Sequence, residues 1–176
     1  WRASTATALG VLGDPAAVPL LRAWALSATR GRTAQAAIAA LGAIAHPSAA
    51  SALSDRLANM GANDPLLPWI EEALLRLGVQ AEPALIALLA EDRHPLLLVR
   101  VMAWLAKVGG PPTVSALAET LAWSSPAVPA ALAALATMHA RGLSLAPAQL
   151  DLRAAASDPS QTIRALAAPL VATATR

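Results

Sequence analysis

The stretch ALGVLGDP at residues 8–15 decides the fold, because it recurs along the chain. Related copies follow as ALGAIAHP at 40–47, ALLRLG at 73–78, WLAKVGGP at 104–111 and ALATMH at 134–139. Their anchoring leucines are separated by 32, 33, 31 and 30 residues, and they are Leu9, Leu41, Leu74, Leu105 and Leu135. A fixed period of this length is the signature of a repeat architecture, in which each repeat is one supersecondary unit.

Further columns of the aligned copies support the register of the repeat. Three residues after the anchors stand large apolar residues, namely Leu12, Ile44, Leu77, Val108 and Met138. Twelve residues after the first four anchors stand Leu21, Leu53, Ile86 and Leu117, and sixteen after them stand Ala25, Leu57, Ala90 and Leu121. The residues between these columns are mixed in character, so the pattern predicts amphipathic helices with one apolar side.

Each repeat is predicted to contain a helix A, a short turn and a helix B. The predicted A helices cover residues 2–12, 33–45, 66–78, 96–108, 127–140 and 160–174, and the B helices cover 15–28, 48–60, 82–91, 112–123 and 147–157. We expect left-handed glycines at the ends of A helices, followed by prolines that open B helices. The glycines are Gly13, Gly78 and Gly109, and the prolines are Pro15, Pro47 and Pro111. Pairs of a cap residue and a proline mark the joins between repeats at Asp64-Pro65, His94-Pro95, Ser125-Pro126 and Asp158-Pro159.

The predicted fold is all-α, an α-solenoid with a right-handed superhelical path, built from about five and a half helix-pair repeats. Composition agrees, because 56% of the chain is hydrophobic, with no Phe or Tyr, and most of that fraction is Ala and Leu, which favour helices. We expect residues 1–176 to form a single domain. Neither end of the sequence carries the polar face of a capping repeat, so we expect the domain to be part of a longer chain.

Charge and composition argue against several classes of partner. The pI is about 10.4, yet 13 Lys and Arg face 11 Asp and Glu, and the arginines are scattered singly, so we expect no nucleic-acid partner. Uncharged stretches at residues 33–54 and 120–140 contain Pro, Ser and His, which predicts buried helix pairs and no membrane contact. The absence of Cys excludes disulfides and agrees with a cytoplasmic location.

The residue types that carry out catalysis or bind metals are not arranged for either purpose. The histidines His46, His94 and His139 lie near predicted turns without metal-ligand spacing. The adjacent carboxylates Glu71-Glu72 and Glu91-Asp92 cannot converge on one helix face. We therefore predict no catalytic, cofactor or metal site, and a protein that is not an enzyme.

The tryptophans divide into two groups. Trp69 and Trp104 each precede a large apolar residue, which predicts core or inter-repeat packing, and Trp1 is expected to be frayed. Trp24 and Trp123 lie off the main apolar stripe of their B helices, and Trp is enriched at protein interfaces.

The phrase at residues 8–21 resembles the HEAT repeats of the subtype found in phycobilisome lyases, and Val99-Arg100 and Ile163-Arg164 resemble the Val-Arg pair that those repeats often carry. The resemblance covers the chain, although the third and fifth copies lack the Asp-Pro turn. It implies a bacterial protein-binding scaffold whose B helices line a concave face. A phycobilin lyase-like or DNA glycosylase-like protein, and a structural or oligomerisation arm that self-associates through its ends, are the alternatives.

On this interpretation the concave face binds a protein or peptide. Its candidate binding residues are Arg22, Trp24, Asp55, Arg56, Asn59, Glu119, Trp123, Asp151 and Arg153. Mixed charge with two aromatic residues suits a protein partner.

Overall fold

The structure, a computed structural model, describes residues 1–27, 31–61, 63–89, 95–122 and 126–174. All the regular elements in these ranges are helical, which confirms the predicted fold class. The A helices are α1 (Arg2–Leu12), α3 (Arg32–Ala43), α5 (Leu67–Leu77), α7 (Pro95–Val108), α9 (Val128–Ala140) and α11 (Gln161–Ala174). The B helices are α2 (Val18–Ser27), α4 (Pro47–Ala58), α6 (Glu82–Leu89), α8 (Pro111–Leu121) and α10 (Gln149–Ala155). Short 3-10 turns at Pro15–Ala17, Gly78–Ala81 and Ala146–Ala148 precede α2, α6 and α10.

The chain groups into two compact units, Trp1–Leu85 and Ile86–Arg176, with the boundary inside α6. In the first unit α3 packs against both α1 and α5, and α2 packs beside α4. In the second unit α9 packs against both α7 and α11, and α8 packs beside α10. Like helices of neighbouring repeats therefore stack on one another within each unit, which is the nearest-neighbour packing of helical repeat proteins.

The anchor column forms the core of both units. Leu41, Leu74, Leu105 and Leu135 are buried, and Leu9 is half-buried. The column three residues later is buried at Ile44, Leu77 and Met138 and half-buried at Val108. Leu12 is the exception, with 74% of its surface exposed, so its predicted burial is wrong. Among the described helices, α1 packs against one A helix, α3, whereas α3 packs against both α1 and α5.

Aspartate–proline turns begin the helices as predicted. In each turn the carboxylate accepts a hydrogen bond from the backbone N–H two residues later, the arrangement of a helix cap. The donors and acceptors are Ala16 to Asp14 at 2.9 Å, Leu66 to Asp64 at 2.9 Å and Ser160 to Asp158 at 2.7 Å. The predicted caps at His94 and Ser125 lie outside the described residues.

The three turn glycines have two different roles. Gly13 (φ 68°) and Gly78 (φ 55°) adopt positive φ, as predicted. Gly109 does not, so that prediction is wrong: a Cβ there would lie 2.6 Å from the carbonyl oxygen of Leu105 and would collide with the side chain of Thr113. Gly109 is thus required by space and not by a left-handed backbone.

The two uncharged stretches are divided between helices. Residues 33–54 span parts of α3 and α4, and residues 120–140 include the end of α8 and all of α9. Among the described residues, no helix combines the length and the apolar character needed to span a bilayer.

Candidate functional site

Two neighbouring B helices of the first unit present an ion pair to solvent. The Arg22 guanidinium on α2 lies 2.8 Å from the Asp55 carboxylate on α4, and the two side chains are 51% and 45% exposed. Because α2 and α4 belong to successive repeats, the pair crosses the seam between them. An exposed ion pair adds only about 0–1 kcal/mol to stability. Each group can therefore leave the other and pair with an oppositely charged group of a bound molecule, at little cost in stability.

Asn59 lies one helical turn beyond Asp55, at the C-cap of α4, and is exposed. Its side-chain Nδ2 donates to the backbone carbonyl of Asp55 at 2.7 Å. This bond holds the carboxamide at the helix end, where its oxygen can accept a hydrogen bond from a partner. Asn59 thereby adds a positioned polar group next to the ion pair.

Trp24 is half-buried on α2, two positions beyond Arg22. Residues two apart on a helix lie about 200° apart around its axis, so the indole does not face the ion pair. Arg22, Asp55 and Asn59 form what we call the α2–α4 surface, and Trp24 lies apart from it. This surface combines a cation, an anion and an amide.

Arg56 does not belong to this surface. It is 5% exposed, so its predicted place among partner-facing residues is corrected. Its Nη2 lies 3.6 Å from Oδ2 of Asp64, and among the described residues its Nε and Nη2 have no hydrogen-bond partner. Asp64 also caps the start of the next repeat through the Leu66 N–H. The Arg56–Asp64 pair therefore joins α4 to the turn that precedes α5 and is structural.

Comparison with known proteins bears on this first unit. Residues 1–74 match the family model described as HEAT repeats. Residues 1–74 are HEAT repeats. The predicted HEAT repeats are thereby confirmed for these residues, and the match does not extend to the lyase subtype.

The other comparisons add nothing to the HEAT assignment. No curated protein matches the chain. Among solved structures, human deoxyhypusine hydroxylase in complex with glycerol is 18% identical, with a TM-score of 0.45, and the match covers 99% of this chain and 79% of that one. A designed armadillo repeat protein is 19% identical, with a TM-score of 0.46, and the match covers 98% of this chain and 92% of that one. At these TM-scores neither likeness says anything about what the chain binds.

The remaining predicted residues belong to the second unit. Glu119 is exposed on α8, Asp151 is half-buried in the first turn of α10, and Arg153 is exposed in its last turn. Trp123 lies outside the described residues. Since α8 and α10 pack together, Glu119, Asp151 and Arg153 lie on neighbouring B helices of this unit, as predicted from the repeat.

The described histidines serve helix ends. His46 is the N-cap of α4, and its Nδ1 accepts from the Ser48 N–H at 3.2 Å. His139 lies in the last turn of α9, with Nδ1 3.4 Å from the carbonyl oxygen of Leu143. His94 is outside the described ranges. Among the described residues no three His, Cys, Asp or Glu side chains cluster in a way that could hold a metal.

One surface of the first unit, around Trp69, was not predicted from the sequence. Trp69 is 40% exposed, although core or inter-repeat packing was predicted for it, and it lines a shallow groove beside Ala39 and Ala73. The repeat contained a signal for this position. Five residues before the other anchors stand Ser4, Ala36, Arg100 and Ala130, a column that is small or polar and only half-buried or exposed.

Proposed function

We propose that this HEAT-repeat chain holds another protein or peptide on its B-helix face, with the α2–α4 surface as the contact in the first unit. The Arg22–Asp55 pair carries the proposal, because it places two opposite, half-exposed charges across the seam of two repeats. Extended surfaces made of successive repeats are the usual binding surfaces of repeat proteins. We further propose a binding role without catalysis, and a cytoplasmic setting that agrees with the absence of Cys.

The chemistry of the surface favours a polar, mixed-charge partner segment. An incoming carboxylate can pair with Arg22 while an incoming Lys or Arg pairs with Asp55. Arg is enriched where binding energy concentrates. We infer a segment that carries both charge signs.

A peptide-display selection against the purified chain tests this proposal. We expect selected peptides to carry both charge signs, and their affinity to fall about tenfold on Arg22→Ala or Asp55→Ala, as for charged interface contacts. Arg32→Ala is the matched control, since Arg32 is an exposed arginine at the start of an A helix. Loss of one arginine there should leave the affinity unchanged. Equal losses at Arg22 and Arg32 would show general charge attraction and reject the α2–α4 surface.

The same variants distinguish binding from folding. Because the ion pair is exposed, Arg22→Ala should change the free energy of unfolding by less than about 1 kcal/mol. A large loss of stability together with the loss of affinity would assign the pair a structural role.

A further inference from the structure

Helix α5 carries a second, outward-facing surface that none of the described helices of the first unit covers. Its core side contains Ile70, Leu74 and Leu77, which are buried. Large side chains are exposed on the opposite side of the helix and in the 3-10 turn that follows it. We call this set the α5 stripe, and it consists of Trp69, Glu72, Leu75, Arg76 and Val79. Spacings of three, four and seven residues place Trp69, Glu72 and Arg76 on one side of the helix.

The apolar members of the stripe are exposed to solvent. Trp69 is 40% exposed, Leu75 37% and Val79 66%. Exposed Trp together with Arg is typical of the centres of protein interfaces. The stripe is therefore a candidate contact surface, separate from the α2–α4 surface on the B helices.

A charged pair lies in the middle of the stripe. Nη2 of Arg76 donates to Oε1 of Glu72 at 2.7 Å, and the two side chains are 56% and 57% exposed. The order along the helix, acid and then base one turn later, has a consequence for symmetry. If a second α5 lies antiparallel across a two-fold axis, each Glu72 faces the Arg76 of the other copy, and an alternating square of four charges results.

The charged pair fixes the position of that axis. Glu72 and Arg76 lie on α5, each two residues from position 74. A two-fold axis near position 74 therefore pairs Glu72 of each copy with Arg76 of the other. Such self-complementarity is what a symmetric dimer interface requires.

The surface beside Trp69 forms a groove of about 60 Å³, lined by Ala39, Trp69, Glu72, Ala73 and Arg76. Its walls are mainly apolar, so the same surface that carries the charged pair also offers apolar contact to a second copy.

We propose that the α5 stripe is a self-association surface whose partner is a second copy of this chain, packed antiparallel about a two-fold axis near position 74. One helix from each copy buries less than the roughly 800 Å² per partner of a stable complex. The dimer is therefore weak and reversible, and it leaves the B-helix face of each copy free.

Sedimentation equilibrium over micromolar to millimolar concentration tests the proposal. The mass is expected to rise from that of one 17.9 kDa chain towards two. Glu72→Arg places like charges opposite each other and should weaken association by about tenfold or more, because like charges across an interface are costly. The exchange Glu72→Arg with Arg76→Glu restores every opposite-charge contact and should return the affinity to near the wild-type value.

Trp69→Ala should also weaken association, whereas the control Trp24→Ala, on a B helix, should not. A chain that stays at 17.9 kDa throughout overturns the proposal, as does a dimer that survives Glu72→Arg. Circular dichroism of each variant shows whether the fold is retained.

If a variant fails to fold, cross-linking gives an independent test. The chain contains no Cys, so Leu75→Cys introduces a single thiol close to the proposed axis. A short bismaleimide should join two copies of this variant but not two copies of Ser51→Cys, whose thiol lies exposed on α4. Equal cross-linking of both variants rejects the α5 stripe as the interface.

Discussion

A Cβ atom added to Gly42 would lie 2.6 Å from the Cα of Ala73, so α3 and α5 approach backbone to backbone. The same relationship holds one repeat earlier, where a Cβ on Gly10 would lie 2.7 Å from the Cα of Ala40. In the second unit Ala106 occupies the equivalent position. Glycine at this position thus allows the close approach of neighbouring A helices in the first unit.

Gly42→Ala is expected to destabilise the protein. Alanine gains up to about 1 kcal/mol of helix propensity, but forcing apart a packed helix pair costs about 1–3 kcal/mol. We expect a net loss of about 1 kcal/mol in the free energy of unfolding, measured by urea denaturation. Gly61→Ala is the matched control, because nothing lies within 4 Å of a Cβ there. A Gly42→Ala protein as stable as wild type would mean that the helices can separate freely.

The buried Arg56 makes the chain sensitive to its only charged neighbour within 4 Å among the described residues, Asp64. Asp64→Asn keeps the oxygen that caps Leu66 but removes the negative charge, which leaves an uncompensated buried guanidinium. Breaking a buried pair in this way costs about 3 kcal/mol. Arg56→Met removes the cation and keeps the packing, so it should cost less than about 1 kcal/mol. Thermal melts of the two single variants and the double variant test this order, and the double variant should recover most of the loss. Equal costs for both single variants would contradict it.

The helices could be predicted because each position of the repeat occurs several times in the sequence, so its apolar or polar character can be compared between copies. The described helices that do not border an undescribed segment end within two residues of the predicted bounds. For example, helix A at residues 66–78 is observed as Leu67–Leu77. The burial of the anchor column could be predicted in the same way, and four of its five leucines are buried.

The site was less predictable, because individual side chains depart from the average of their column. Arg56 occupies the position fifteen residues after its anchor. The same position holds Trp24, which is half-buried, and Leu89 and Thr120, which are both buried. Comparison of the residues at that position across the repeats would have predicted that Arg56 is buried. Its charge alone suggested that it is exposed. The rescue of Arg56 by Asp64 depends on a turn between repeats, which no helical periodicity describes.

Arg141 ties two successive A helices of the second unit together. Its Nη1 donates to the carbonyl oxygens of Ala106 at 2.7 Å and Gly109 at 3.0 Å, groups at the end of α7 that have no partner within that helix. Arg141→Met should therefore lower the free energy of unfolding by about 1–2 kcal/mol, the scale of a charge-assisted hydrogen bond at a partly solvated site. Arg153→Met, at an exposed arginine on α10, should change it by less than about 0.5 kcal/mol. Hydrogen exchange offers a second measurement, with faster exchange at the end of α7 in the Arg141 variant alone. Equal stability of the two variants would contradict a role for these bonds.

Ile44 and Leu12 occupy the same position of successive repeats, yet Ile44 is buried and Leu12 is 74% exposed. Asparagine at Ile44 must place an amide in the core without a prepared partner, which should cost about 3 kcal/mol or more. Asparagine at Leu12 remains in solvent and should cost less than about 0.5 kcal/mol. Because residue type and repeat position are closely matched, the difference in urea midpoint between Ile44→Asn and Leu12→Asn measures what the neighbouring helices contribute to burial at this column. Similar losses in the two variants would mean that the column is stabilised within each repeat, and that stacking of neighbouring repeats adds little to the core.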